Sequence, residues 1–343
     1  MGAGILTTSN HTQPASNSPS SPDRDTQIEI YRRMALIERN DAAARKVVRS
    51  GKLVMPYYSP RGQEVIPSAL SVSLNDDDYI STIYRGTHDM LAKGLPLRLL
   101  WAEIAGKVTG TCKGKGGPMH ITHPETGIMV TTGIVGSSMP IANGLAWASK
   151  LSKNKRVSVA YFGDGASNIG AFHESLNLAS VMQLPVIFVC QNNRFAEHTR
   201  YEHCTSVERI STRAQSYSMP GVTVDGNDPH AMYAAGKEAI DRARSGGGPT
   251  LIEALTFRFH GHVFGDTDPY MTKEEKAEAI ARDPVPAFRA KLIAEGLATE
   301  DQLSEMEAKI KADIDDAIEY ALSSDDPSMD ELTRDVYADS GAY

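Results

Sequence analysis

Cysteine is scarce: the 343 residues include three, Cys112, Cys190 and Cys204, with no C-x-x-C pair and no even-numbered framework. That excludes a disulfide-stapled fold and makes a reducing, cytoplasmic compartment the expectation. No apolar run approaches the ~20 residues of a membrane-spanning helix, so a membrane protein is not expected. Positive charge is not in excess, with 35 Lys and Arg against 43 Asp and Glu. A net charge of -8 supplies no broad cationic field for nucleic acid, although local anion sites remain open. Several motifs are missing too. Nothing matches G-x-x-x-x-G-K-[ST], H-E-x-x-H or G-x-S-x-G, and no G-x-G-x-x-G follows a strand, which argues against P-loop, zinc-protease, serine-hydrolase and Rossmann chemistry. Residues 1–25 are rich in Ser, Thr, Asn and Pro, carry no Arg before Arg24 and lack the apolar block of a secretory signal. They read as a disordered tail. Leu6 stands where a myristoylation signal needs Ser or Thr.

What is present is patterned. Apolar residues at helical spacing predict a helix over 25–50, closed by Gly51, and another from about 88 to 105 after a short strand at 78–83. Residues 106–136 form a long glycine-rich passage, read either as a flexible surface loop or, from its basic, glycine-dense composition, as backbone built to approach an anion. Then come a helix over 140–151, an apolar strand over 156–162, a helix over 169–182 and an apolar strand over 184–193. Strands apolar throughout, separated by a helix, imply a parallel sheet covered on both faces. The sheet continues through GVTVDG, a helix over 229–245 and a strand over 250–259. From 273 onward the chain is helical, with Leu303, Met306, Ile310, Ile314, Ala317, Ile318 and Ala321 tracing one apolar stripe.

Parallel sheets bind ligands beyond the carboxyl ends of their strands, so GDGASNIG, QNNRFAEHT and HGHVFGDTD should share one rim. Asp164 lies between two glycines just before a helix, whose free N–H groups attract phosphate. With Asn192 and Asn193 it offers hard oxygen ligands suited to Mg²⁺ bridging a diphosphate. Alone, GDG is as readily a turn. Zinc binding by His120 and His123, or by His198, His203 and Cys204, lacks a four-ligand spacing with Cys pairs.

In combination the signal is stronger. GDG at 163–165, then 26 residues, then NN at 192–193 resembles the thiamine diphosphate fingerprint. YRGTH (84–88), CKGKGGPMHI (112–121), GIVGSSMPIANG (133–144), GDGASNIGAFHESLNLAS (163–180) and FRFHGH (257–262) make the chain similar to the α subunit of the E1 component of 2-oxo acid dehydrogenase complexes, the pyruvate, acetoin and branched-chain group. The resemblance implies an α/β fold, a mostly parallel sheet flanked by helices in the diphosphate-type domain of a thiamine diphosphate-binding fold, with helical extensions at both ends. The expected division is an α/β domain over 26–270 and a helical extension over 271–343.

By that resemblance Mg²⁺ would be held by Asp164, the Asn193 side chain and the main-chain carbonyl of Phe195, a Phe where relatives often have Tyr. Tyr84 and Arg85 would hold the diphosphate, with Tyr58, Gly165 and Ala166 also facing the cofactor. Gly133 and Val135 would grip the aminopyrimidine, Val135 wedged beneath it. His262 would be the active-site histidine beside the diphosphate, and His260 structural. The implied reaction is oxidative decarboxylation of a 2-oxo acid, or cleavage of acetoin, with the acyl group passed to lipoyl groups of an E2 acyltransferase. An E1 β subunit would complete the site in an α2β2 heterotetramer. Tyr57 and Tyr58 stand where pyruvate-type relatives tend to have His, and Thr87 stands where His is frequent, with His88 displaced by one. These positions look toward the substrate pocket in relatives and leave the substrate open. Val263 replaces the Ser that kinases modify in mitochondrial relatives, so phosphorylation there is not expected. A split transketolase, or a non-catalytic subunit of the same fold, are the alternatives.

Overall fold

The computed structural model describes residues 21–336. The tail reading of 1–25 therefore lies outside the described residues except for its last five, and Arg24 already opens α1 (Arg24–Arg49), capped by the Asp23 side chain on the Thr26 amide. There follow α2 (Val65–Ser71), β1 (Tyr79–Ile83), α3 (Thr87–Lys93), α4 (Leu97–Ile104), β2 (Ile128–Thr132), α5 (Ser138–Ser152), β3 (Ser158–Gly163) and α6 (Gly170–Val181). The second half brings β4 (Val186–Asn192), β5 (Phe195–Ala196), β6 (Thr199–Arg200), α7 (Tyr201–Cys204), β7 (Gly221–Asp225), α8 (Pro229–Arg244) and β8 (Thr250–Leu255). Three helices close the chain: α9 (Lys273–Ala281), α10 (Pro284–Ala294) and α11 (Glu300–Ser323).

Six strands form one sheet in the order β2-β1-β3-β4-β8-β7, every neighbouring pair parallel. Strand alternation sorts the core into two layers. Val159, Tyr161, Ile187 and Val189 join the layer under α1, α2 and α8, whereas Ala160, Phe162, Phe188 and Cys190 join the one under α5 and α6. This is the α/β architecture that the apolar strands imply. The chain runs from β1 outward to the edge strand β2, then returns past β1 to β3. The winding direction thus reverses between β1 and β3, and a crevice opens at such a reversal beyond the strand ends. The C-terminal stripe behaves as expected: Leu303, Ile310, Ile314, Ala317 and Ala321 are buried where α11 packs on α4 and α1. Among the described residues no helix is long and apolar enough to cross a membrane.

Three expectations need correction. The helix read over 88–105 is two helices, because Gly94 takes a left-handed backbone at φ 104° and Pro96 precedes α4. The strand read over 250–259 ends at Leu255, since the chain then turns to bond the segment after Tyr58: the Thr256 hydroxyl donates to Gly62 O and the Phe259 amide to Arg61 O. The passage over 106–136 is not all loop. It contains β2, a strand that completes the sheet edge.

The glycine-dense part of that passage does approach an anion, but the anion is the protein's own. The buried Glu103 carboxylate accepts four backbone amides: Cys112 at 2.7 Å and Gly114 at 3.0 Å on Oε2, Gly116 at 2.8 Å and Gly117 at 3.1 Å on Oε1. Crowding explains two of the glycines. A Cβ at Gly114 would lie 2.5 Å from Gly106 O, and one at Gly116 would lie 1.9 Å from His120 O. The basic residues of the passage face the C-terminal segment instead, Lys107 pairing with Asp326, and Lys113 and Lys115 with Asp335.

Removing the Glu103 carboxylate strands several amides at once. Glu103→Ala should lower the free energy of unfolding by about 2–4 kcal/mol, read from urea melts. Wild-type stability in that variant would mean the loop is held by other contacts.

Candidate active site

The carboxyl ends of β1, β3 and β4 converge at the reversal of winding, and the segment after β8 closes over them. A cavity of 270 Å³ lies there, lined by Tyr84, Arg85, Val135, Asp164, Gly165, Ala166, Asn193, Phe195 and His262, together with Arg258 and Glu197. Nearly every residue singled out in the sequence is thus brought to one place. Tyr58 belongs to the same cluster through its ring, 4.6 Å from that of Tyr84 and 5.4 Å from that of His262. Gly133 is the exception: it follows β2 on the exposed approach to Val135, outside the cavity lining.

Other candidates are placed elsewhere. Tyr57 is buried, its hydroxyl donating to Asp41 Oδ1 at 2.8 Å. His88 is buried behind the site, where its Nε2 donates to Gln191 Oε1 at 3.0 Å. Neither faces the cavity. The resemblance implies substrate-facing positions for both, whereas their side chains turn into the core. His260 contacts Arg45 through Nε2 rather than entering the cavity. Asn192 donates to the buried Glu253 carboxylate at 2.8 Å, so of the two amides only Asn193 is in the lining. Its NH₂ donates to Gln63 Oε1 at 2.7 Å and its Oδ1 accepts the Phe195 amide at 3.2 Å, which fixes which end of the amide is which.

The electrostatics are unbalanced in a specific way. Arg85 is 3% exposed and donates to Ser59 O at 2.9 Å and His262 O at 2.8 Å. Arg258 is 1% exposed and donates to His260 O, Glu197 O and the Tyr270 hydroxyl. All these acceptors are neutral, and among the described residues no carboxylate lies within ion-pair distance of either guanidinium. Burial, reinforced by the other arginine, pulls Arg85 down to about 10. Asp164 carries the complementary imbalance. It is 1% exposed, and its Oδ2 has no hydrogen-bond partner. Burial pushes its carboxyl up to about 7. Buried charges without partners are expensive, and a cavity holding both signs unsatisfied is suited to a ligand that brings an anion and a cation together. An acidic carboxylate, an amide and nearby carbonyls are hard donors of the kind divalent cations such as Mg²⁺ prefer.

His262 is neutral at ordinary pH. Burial and the neighbouring Arg85 and Arg258 lower it to about 4. Arg85 can only donate, and its Nη2 is 3.3 Å from His262 Nδ1, so Nδ1 is the acceptor and the proton resides on Nε2. The His262 amide donates to Asp266 Oδ2 at 2.7 Å, and the Tyr270 hydroxyl donates to the same oxygen. Arg258, Glu197, Asp266 and Tyr270 were not singled out from the sequence. Arg258 stands within FRFHGH, and Glu197 and Asp266 within the strand-end segments QNNRFAEHT and HGHVFGDTD, the local signals that could have found them; Tyr270 reaches the site only through the fold.

The model of the family described as dehydrogenase E1 component matches residues 31–330. The α subunit of acetoin:2,6-dichlorophenolindophenol oxidoreductase from Bacillus subtilis (strain 168) is 41% identical, over 90% of this chain and 92% of that protein. The corresponding subunit from Cupriavidus necator is 38% identical over 92% and 95%. Pyruvate dehydrogenase E1 component subunit alpha from Porphyra purpurea is 34% identical over 91% and 93%.

The raised Asp164 carboxyl has a pH signature in the ligand-free chain. The native state holds this proton up to about 7 whereas the ordinary carboxyl releases it near 3.8, so native protein binds more protons in that interval and loses stability as pH rises through it. Asp164→Asn should flatten this slope, and thermal melts of both chains between those limits check it. Parallel slopes would refute it.

Proposed function

Since this chain belongs to the dehydrogenase E1 component family, we propose that it is the α subunit of an E1 enzyme acting on a small 2-oxo acid or on acetoin with thiamine diphosphate and Mg²⁺. One observation carries the reading. Two buried arginines without carboxylate partners face a buried carboxylate without a partner, at the reversal point of a parallel sheet. Mg²⁺ would be held by Asp164, Asn193 Oδ1 and the Phe195 carbonyl. Arg85, Tyr84 and Arg258 would receive the diphosphate, with Tyr58, Gly165 and Ala166 around it. Gly133 and Val135 would meet the aminopyrimidine end, where Val135 is half-exposed.

Bound there, thiamine diphosphate supplies the nucleophilic carbon and the electron sink. The chain's own residues bind, orient and handle protons. Arg85 positions the His262 imidazole through Nδ1 and the main-chain carbonyl, leaving Nε2–H to donate to oxygen on a reacting carbonyl. Neutral His262 accommodates that role better than an imidazolium would beside two guanidiniums. The arrangement exists in a chain whose site has an open, apolar approach: Ile134, Val135, Ile141, Trp147 and Leu151 are exposed, running from the cavity along α5. An apolar surface of that kind supports a partner, and an E1 β subunit in an α2β2 assembly fits it. Transfer of the acyl product to lipoyl groups of an E2 acyltransferase belongs to the same proposal, as does the division into an α/β domain over 26–270 and a helical extension over 271–343.

The isolated chain should be inactive and should gain dye-reducing turnover of pyruvate, branched-chain 2-oxo acids or acetoin when co-expressed with its β partner. Robust turnover by the isolated chain would overturn the subunit reading. In the assembled enzyme His262→Ala should lower kcat by about 100-fold or more. Steady-state kinetics under saturating cofactor measure it.

A further inference from the structure

Beside the cavity, β5 and β6 form an antiparallel hairpin whose two-residue turn is Glu197-His198. The turn is unusual in its chemistry. Glu197 takes a left-handed backbone at φ 55°, a conformation that hairpin turns ordinarily give to Gly, Asn or Asp. The tip thus carries a Glu and a His where small residues are usual. The hairpin is seated closely on the GDG turn: a Cβ at Gly165 would lie 2.7 Å from Ala196 Cβ. Its tip therefore has a fixed position relative to Asp164.

That position places His198 beside His262. The two rings are 5.9 Å apart between centroids and nearly perpendicular, at 87°. On its other side His198 rests against the Tyr270 ring at 4.7 Å, and its Nε2 is 3.5 Å from Asp266 Oδ2, the oxygen that accepts from the His262 amide and the Tyr270 hydroxyl. The imidazole is thus held along one edge while its side chain remains 56% exposed, and no hydrogen bond engages its Nδ1 among the described residues. A half-exposed imidazole, steadied by a carboxylate and set across from the candidate active-site histidine, is placed to touch whatever His262 touches.

We infer that His198 is a specificity-determining residue, hydrogen-bonding the oxygen function that a small carbonyl substrate carries on the carbon next to the reacting one. In a 2-oxo acid that function is the carboxylate; in a 2-hydroxyketone it is the hydroxyl. Both present an oxygen on the carbon next to the carbonyl that His262 serves, within reach of an imidazole whose ring centre lies 5.9 Å from that of His262. His198 is not among the residues that line the cavity around Arg85 and Asp164, so this contact selects substrate without holding diphosphate.

The inference rests on the function proposed above, and the test separates the two. The α–β enzyme carrying wild-type His198, His198→Ala or His198→Gln is assayed by dye reduction with pyruvate, branched-chain 2-oxo acids and acetoin, alongside the rise in melting temperature caused by thiamine diphosphate with Mg²⁺. In His198→Ala, KM for the accepted substrate should rise about tenfold, the worth of one hydrogen bond to a polar substrate group. Its kcat should stay within about threefold and its cofactor-induced thermal shift should be unchanged. His198→Gln, which keeps a donor and an acceptor, should recover part of the lost affinity. The substrate whose KM responds identifies which oxygen function is read. Unchanged KM in an active enzyme, or a KM rise accompanied by loss of the cofactor-induced shift, overturns the inference and leaves the functional reading in place. A wild-type α–β enzyme that turns over neither substrate class overturns both.

Discussion

Arg85 is the constraint around which the site is built. Its guanidinium, at the end of β1, is nearly sealed from water, and its donors reach the carbonyls of Ser59 and His262. Three stretches far apart in sequence are thereby held at one point. A buried guanidinium cannot shed its proton in any ordinary range, so the fold must surround it with acceptors or leave it to a ligand. Here it does both: carbonyls and an imidazole nitrogen satisfy the geometry, while the charge itself finds no carboxylate. Arg258 repeats the arrangement, donating only to neutral acceptors, and Asp164 inverts it. Positive and negative charge are kept apart within one cavity rather than neutralised against each other. A pair of salt bridges would have been the more stable solution for the ligand-free chain, and a poorer receptor.

The architecture was readable from the sequence where burial dictates it. Strands β3, β4 and β8 are apolar along nearly their whole length, and only a sheet covered on both faces demands that. GDG and NN were legible because the spacing between them equals one strand-helix-strand unit. What could not be read depends on contacts between distant residues. Glu103 ends a helix with no feature that marks it, yet it organises four amides beyond it. The same glycines suggested backbone that approaches an anion, and the fold supplies that anion from Glu103 itself. The edge strand β2 was hidden because IMVTT is short and surrounded by glycine. His88 and Tyr57 show the other failure, in which the resemblance implies a substrate-facing position and the fold turns the side chain into the core.

The hairpin after β4 shows how a peripheral element can refine a site set by the sheet. Positions on the strand ends carry the charges that any diphosphate-dependent relative would need. The tip of a two-residue turn is freer to vary, since no ladder or core contact depends on its side chains. Glu197 and His198 occupy such a tip, fixed in place by the close approach of Ala196 to Gly165. Chemistry common to a family and selectivity particular to one chain can in this way be written in different segments of the same rim.

The position of the cavity at the reversal of winding also has a kinetic consequence. Its contributors run from Tyr58 to His262, and every strand pairing in the sheet is parallel, so each joins segments separated by a long crossover. Such non-local pairings form slowly, because chain closure precedes any contact that rewards it. Arg258 belongs to the segment that follows β8 and Arg85 donates to His262 within it, so both guanidiniums are out of water only where that segment is docked. Desolvation of charge, a costly event in building this receptor, is thereby tied to a contact between residues 177 positions apart.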